Sequence, residues 1–140
     1  MPNTVRQFLL TFGLHKAYLY WMVKERRSVI EVPVPNVIRF GGFTYKQKFG
    51  GKTNWGLRGD NYSGTHCHLL QEIEIATDLG EEHMTNALAH EWSHAINKIY
   101  LAGALEETQI ELFGNGLHQL FNELGIKFSI NNQESTIERE

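Results

Sequence analysis

An α+β fold, a small twisted β-sheet with helices packed on one side, is predicted by three features of this 140-residue sequence. Runs of β-branched and aromatic residues fall within residues 28–76. Apolar residues at helical spacing then fill two later stretches, Met84 to Ile99 and Ile110 to Leu124. Gly103 marks a reversal between them, which makes the pair an antiparallel helical hairpin. A chain that is 41% hydrophobic and 21% charged suits one globular domain with a modest core. That domain is expected over residues 1–130, followed by a solvated tail at 131–140.

Taken in order, residues 4–27 read as an N-terminal helix. Val5, Phe8, Leu9, Phe12, Leu19, Met22 and Val23 share one side, and Lys24 to Arg27 suit the negative end of its dipole. His15-Lys16 splits the apolar run into pieces too short to span a bilayer, and no small-residue cleavage site follows. Packing on the domain is the expected role of this helix. A protein partner or a peripheral membrane contact, with Trp21 in its aromatic cluster, is the alternative. Strands are expected at Val29–Val32, Val37–Phe40, Phe43–Tyr45 and Ile73–Ile75, with Gly41-Gly42 as a hairpin turn. Pro33 and Pro35 mark an edge or a turn, and the glycines at 50, 51, 56, 59 and 64 make residues 49–64 loop-rich. Asp78-Leu79-Gly80-Glu81 reads as a capping box with Asp78 as N-cap. Beyond it Met84, Leu88, Ala95 and Ile99 form an apolar stripe that no proline or glycine interrupts.

The chemistry lies on that helix. His90-Glu91-Trp92-Ser93-His94 is an H-E-x-x-H pentapeptide, and residues four apart on a helix face one way. Both imidazoles can therefore meet one cation. Zinc takes such a pair readily, needs a third protein ligand, and keeps a position open for water. Glu91 stands where it can take that water's proton. Two glutamates on the second helix, Glu107 and Glu111, are candidates for the third ligand. With a turn near residues 102–103, His94 is level with residue 111, and Glu107 sits about 6 Å nearer the turn. Helical phase argues the other way, because Glu107 lies nearer the apolar stripe. Height is given the greater weight, so Glu111 is the expected ligand, with Glu107 as the alternative or as an acceptor behind the ligands.

This arrangement resembles the gluzincin branch of the zinc metallopeptidases. More narrowly, it is similar to small zincin-like proteins encoded by phages and prophages, distant relatives of the ImmA/IrrE-type peptidases. The matching residues are Ile38 to Tyr45, Gly56, Ile73-Glu74-Ile75, His90 to His94, and Glu107 to Leu117. The resemblance spans residues 37–124, and beyond the pentapeptide it is one of pattern. It implies a minimal zincin with an edge strand that pairs with an extended peptide. It also implies that Glu111-x-x-x-Asn115 stands for a Glu-x-x-x-Asp arrangement in which the acid orients a metal-bound histidine. An asparagine there accepts the hydrogen bond without charge. Gly80, where proline is common, and the long segment before residue 28 depart from the group.

The expected activity is zinc-dependent peptide-bond hydrolysis in the cytoplasm of a bacterial host, by a protein of phage or prophage origin. Zn²⁺ on two neutral imidazoles and a carboxylate lowers the pKa of a bound water, and Glu91 acts as general base. The competing class is a catalytically weak or inactive zincin-fold module that binds or regulates a partner. Net charge is −3 and no basic cluster is interleaved with aromatics, which argues against nucleic acid. The lone Cys67 fits a reducing compartment. His66-Cys67-His68 places two imidazoles on one face of a strand, read as a half-exposed surface rather than a second metal site. Peptide deformylases also join H-E-x-x-H to an upstream cysteine, but this chain lacks their other motifs. His118, seven residues past Glu111, is read as a polar surface residue, with stabilisation of a developing oxyanion as the alternative.

Overall fold

Strand β3 (Phe43–Phe49) is the longest strand in the computed structural model, which describes Lys16 and residues 28–131. It pairs antiparallel with β2 (Val37–Phe40) across the two-residue Gly41-Gly42 turn, with Phe40 opposite Phe43. Gly41 has φ 57, and a Cβ there would lie 2.9 Å from Ile99 Cγ2, so glycine serves both backbone and packing. On its other side β3 runs parallel to β5 (Glu72–Ile75), which pairs antiparallel with β4 (Gly64–Cys67). The sheet order is β2-β3-β5-β4, so β4 forms one edge. Strands β1 (Ile30–Pro33) and β6 (Ile126–Ser129) make a separate two-stranded sheet. The α+β class predicted from sequence is the class observed.

Parallel neighbours need a crossover, and here it contains α1 (Gly51–Gly59). The loop expected over residues 49–64 is therefore corrected. Thr53 and Leu57, four apart, are buried together, and that burial outweighs the poor helical propensity of the glycines. Asn54 ties α1 to the chain before the next helix, accepting a bond from the Thr77 amide at 2.9 Å.

Helix α2 (Glu81–Tyr100) covers one face of the sheet. Tyr45, Phe49, Ile73 and Ile75 alternate inwards and meet Met84, Ala87, Leu88 and Ala95. One polar residue lies within that apolar face. Gln47 is 4% exposed, donates to Pro35 O at 2.7 Å and accepts from Trp92 Nε1 at 2.7 Å. A buried amide satisfied from both ends fixes the rotation of α2 at the centre of its pentapeptide. Trp92 also meets Phe128 edge-on at 5.4 Å, and Phe128 meets Phe121 at 5.2 Å. These three rings join α2, β6 and α3 (Glu107–Glu123).

Three expectations about the helices change. Asp78 is not the N-cap of α2; Gly80 occupies that position, and the Asp78 carboxylate pairs with Arg58 on α1. A nearby guanidinium competes successfully with the backbone for that carboxylate. The apolar stripe of α3 is only partly covered, since Phe113, Leu120 and Leu124 remain exposed. Strand β6 follows α3 where no strand was expected. Apart from Lys16, the predicted 4–27 helix lies outside the described residues, as does the predicted tail beyond Asn131. No helix among the described residues is long and apolar enough to cross a membrane.

Candidate metal centre

The two pentapeptide imidazoles converge through the same ring atom. Nε2 of His90 and Nε2 of His94 are 3.2 Å apart on adjacent turns of α2. The Glu107 carboxylate bridges them, Oε1 at 3.1 Å from His90 Nε2 and Oε2 at 3.2 Å from His94 Nε2. Among the described residues these three form the one group of His, Cys, Asp or Glu whose ligand atoms lie within 4.8 Å of one another. Two neutral nitrogens and one carboxylate oxygen suit zinc, and one side of the group faces a cavity.

Glu111 does not join the imidazoles; it lines the cavity beside them. Facing direction overrides height. Gly114 packs on the His90 backbone, where a Cβ would lie 3.1 Å from His90 Cα. Residue 107 precedes 114 by seven positions, almost two whole turns, so both face α2 together with buried Ile110. Glu111 is rotated about 60° from Gly114. The level of the turn alone could not reveal this.

The linker from α2 to α3 delivers Glu107, and Asn97 builds that linker. Its Oδ1 accepts from the Leu105 amide at 3.0 Å, and its Nδ2 donates to Leu105 O at 3.3 Å. Its carbonyl accepts from the Gly103 amide at 2.9 Å, with Ala102 and Gly103 both at positive φ. The Glu106 amide then donates to Gln109 Oε1 at 2.9 Å, which closes the first turn of α3. Glu107 is the first residue of that turn, so a braced loop sets where its carboxylate stands.

Glu91 lies beneath the pair, only 6% exposed, and lines the cavity. Burial first, then the charge of Glu107, push its carboxyl up to about 8. Gly64 on β4 makes room for it, because a Cβ there would come within 3.0 Å of Glu91 Cγ. His94 is pushed down, chiefly by burial, against an opposing pull from Glu107. The cavity measures about 350 Å³, and Tyr62, His83, Asn86 and Asn115 complete its wall.

Asn115 makes no hydrogen bond to either imidazole among the described residues, so the orienting role implied for it is not seen. His118 is turned away from the centre towards Glu82, at 3.1 Å, with Asn122 at 3.3 Å. It matches the polar surface reading rather than a place beside the imidazoles.

The sequence reading missed what stands on the other side of His94. The His66 ring is stacked on His94 with centroids 5.8 Å apart and planes 5° from parallel. Its opposite face meets Tyr45, at 5.4 Å. Burial first, then neighbouring His94, His68 and Lys98, push His66 down to about 4. The alternation of His66 and His68 on one strand face was the available signal. The chain matched no family model, no characterised protein and no solved structure.

Proposed function

We propose that this chain is a zinc-dependent peptidase of gluzincin type, with His90, His94 and Glu107 as metal ligands and Glu91 as general base. The observation that carries the reading is the convergence of two Nε2 atoms and one carboxylate beside a buried glutamate. A bound Zn²⁺ supplies Lewis-acid polarisation of the scissile carbonyl, and its charge favours the carboxylate form of Glu91. Glu91 then accepts a proton from the attacking water as the new C–O bond forms. It returns that proton to the leaving amine as the C–N bond breaks. The free edge of β4 lies against Glu91 through Gly64, and main-chain groups there can pair with an extended substrate.

A binding module on the same scaffold is the second reading, favoured by the exposed Leu112, Phe113, Leu120 and Leu124 of α3. Hydrolysis of a fluorogenic peptide library by the zinc-loaded full chain separates the two. The peptidase reading expects cleavage that falls by about 10²-fold or more in Glu91→Gln, with zinc retained. Full cleavage by Glu91→Gln on a verified substrate would remove Glu91 as the base. A zinc-loaded parent that cleaves no library member favours the binding module.

A further inference from the structure

Metal-binding histidines are ordinarily held in place by a hydrogen bond from the ring nitrogen that does not touch the metal. His94 departs from that arrangement. Its contacts with His90 and Glu107 both run through Nε2, and among the described residues Nδ1 has no hydrogen-bond partner. Asn115, the residue expected to orient a ligand, lines the cavity instead. What meets the His94 ring from behind is another ring.

His66 is the middle member of a three-ring stack, between Tyr45 and His94. Offset parallel rings with centroids between 4.5 and 7 Å are an attractive arrangement, and both contacts lie in that range. The stack has a fixed base. Tyr45 is fully buried, and its hydroxyl is hydrogen-bonded to His68 Nδ1 at 2.5 Å and to His66 Nε2 at 3.3 Å. The His68 ring is itself met edge-on by Phe43 at 5.0 Å. Pairing of His66 with Ile73 in the β4–β5 ladder sets the height of His66 on the sheet. A rigid strand thus presents a flat surface to one imidazole of the pair, while α2 presents the imidazole itself.

We propose that His66 is a positioning residue for the metal centre: its ring, clamped by Tyr45, orients His94 by stacking in place of a hydrogen bond at Nδ1. The inference rests on the reading of His90, His94 and Glu107 as zinc ligands. It gives His66-Cys67-His68 a role distinct from a second metal site. His66 faces the ligand, His68 locks the clamp, and Cys67 is the residue between them.

The test is zinc affinity of the full chain, measured by competition with a chromophoric chelator, together with the visible spectrum of the cobalt-substituted protein. His66→Ala and His66→Gln are each expected to weaken zinc by about tenfold, the scale seen when support behind a metal ligand is lost. Both should also shift the cobalt bands at full loading, which a change in stability alone would not do. His66→Phe keeps a ring and loses the hydrogen bond, so it should stay within about threefold of the parent. Glutamine keeps hydrogen-bonding capacity without a ring, so the Gln and Phe variants decide the matter even if His66→Ala fails to fold. Affinity retained by Gln and lost by Phe would overturn the proposal, as would unchanged affinity in all three. A parent without zinc affinity would overturn the metal reading and this inference with it. A parent that binds zinc with His66→Gln unaffected would overturn the inference alone.

Discussion

Two glutamates flank the same pair of imidazoles in opposite surroundings. Glu107 stands at the start of α3 with 67% of its side chain exposed and both oxygens engaged by the histidines. Glu91 lies inside α2 at 6% exposure, held between the helix and Gly64 of β4. A ligand carboxylate must reach the ion and remain charged, which contact with water and two imidazoles favours. A base must change protonation during the reaction, which burial favours by bringing its proton affinity towards the working pH. One residue type does two jobs because the fold buries one copy and leaves the other on a loop-braced helix end.

The comparison is broken most strongly through pH. The Glu91 carboxyl is raised from an ordinary 4.5 to about 8. In the unfolded chain it loses its proton near 4.5, whereas the folded, metal-free chain holds it to about 8. The unfolded state therefore carries fewer protons between those values, and metal-free stability falls as pH rises from about 4.5 to about 8. The fall should be on the order of a few kcal/mol, and Glu91→Gln should remove it. Urea denaturation of the chelator-treated protein across that range checks this. An equal slope in parent and Glu91→Gln would show that Glu91 is not so buried.

A smaller effect is expected where the two helices touch. A Cβ at Gly114 would press 3.1 Å from His90 Cα, against backbone that cannot swing aside. Gly114→Ala should cost about 1–3 kcal/mol of stability, as overpacking does. It should also weaken zinc binding by moving Glu107 relative to His90. Chemical denaturation and zinc titration of the same variant check both. A variant as stable as the parent would show that the helices separate there at little cost.

Much of the fold could be read from residue patterns, for reasons that differ by element. The strands at Val37–Phe40 and Glu72–Ile75 are short and β-branched, and their alternation records the buried face directly. The hairpin at Gly41-Gly42 is written in two adjacent residues. Helix α1 was hidden because its glycines argue locally for a loop, while its support, the burial of Thr53 and Leu57, is tertiary. The histidine pair of the site was legible because four-residue spacing fixes direction on one helix. The third ligand was not, because it depends on how α3 is rotated against α2. That rotation is set by Gly114 on the His90 backbone and by the Asn97 brace. Tyr45, His66 and Gly64 were equally hidden, since each acts through a contact between the sheet and α2 rather than through spacing.

The central claim is that Glu107, not Glu111, completes a zinc centre with His90 and His94. Zinc stoichiometry and affinity of Glu107→Ala and Glu111→Ala, measured beside the parent, test it most directly. One equivalent of zinc in the parent and in Glu111→Ala, with affinity lowered by at least about 10²-fold in Glu107→Ala, is the result the geometry predicts. Loss in Glu111→Ala with retention in Glu107→Ala would contradict it.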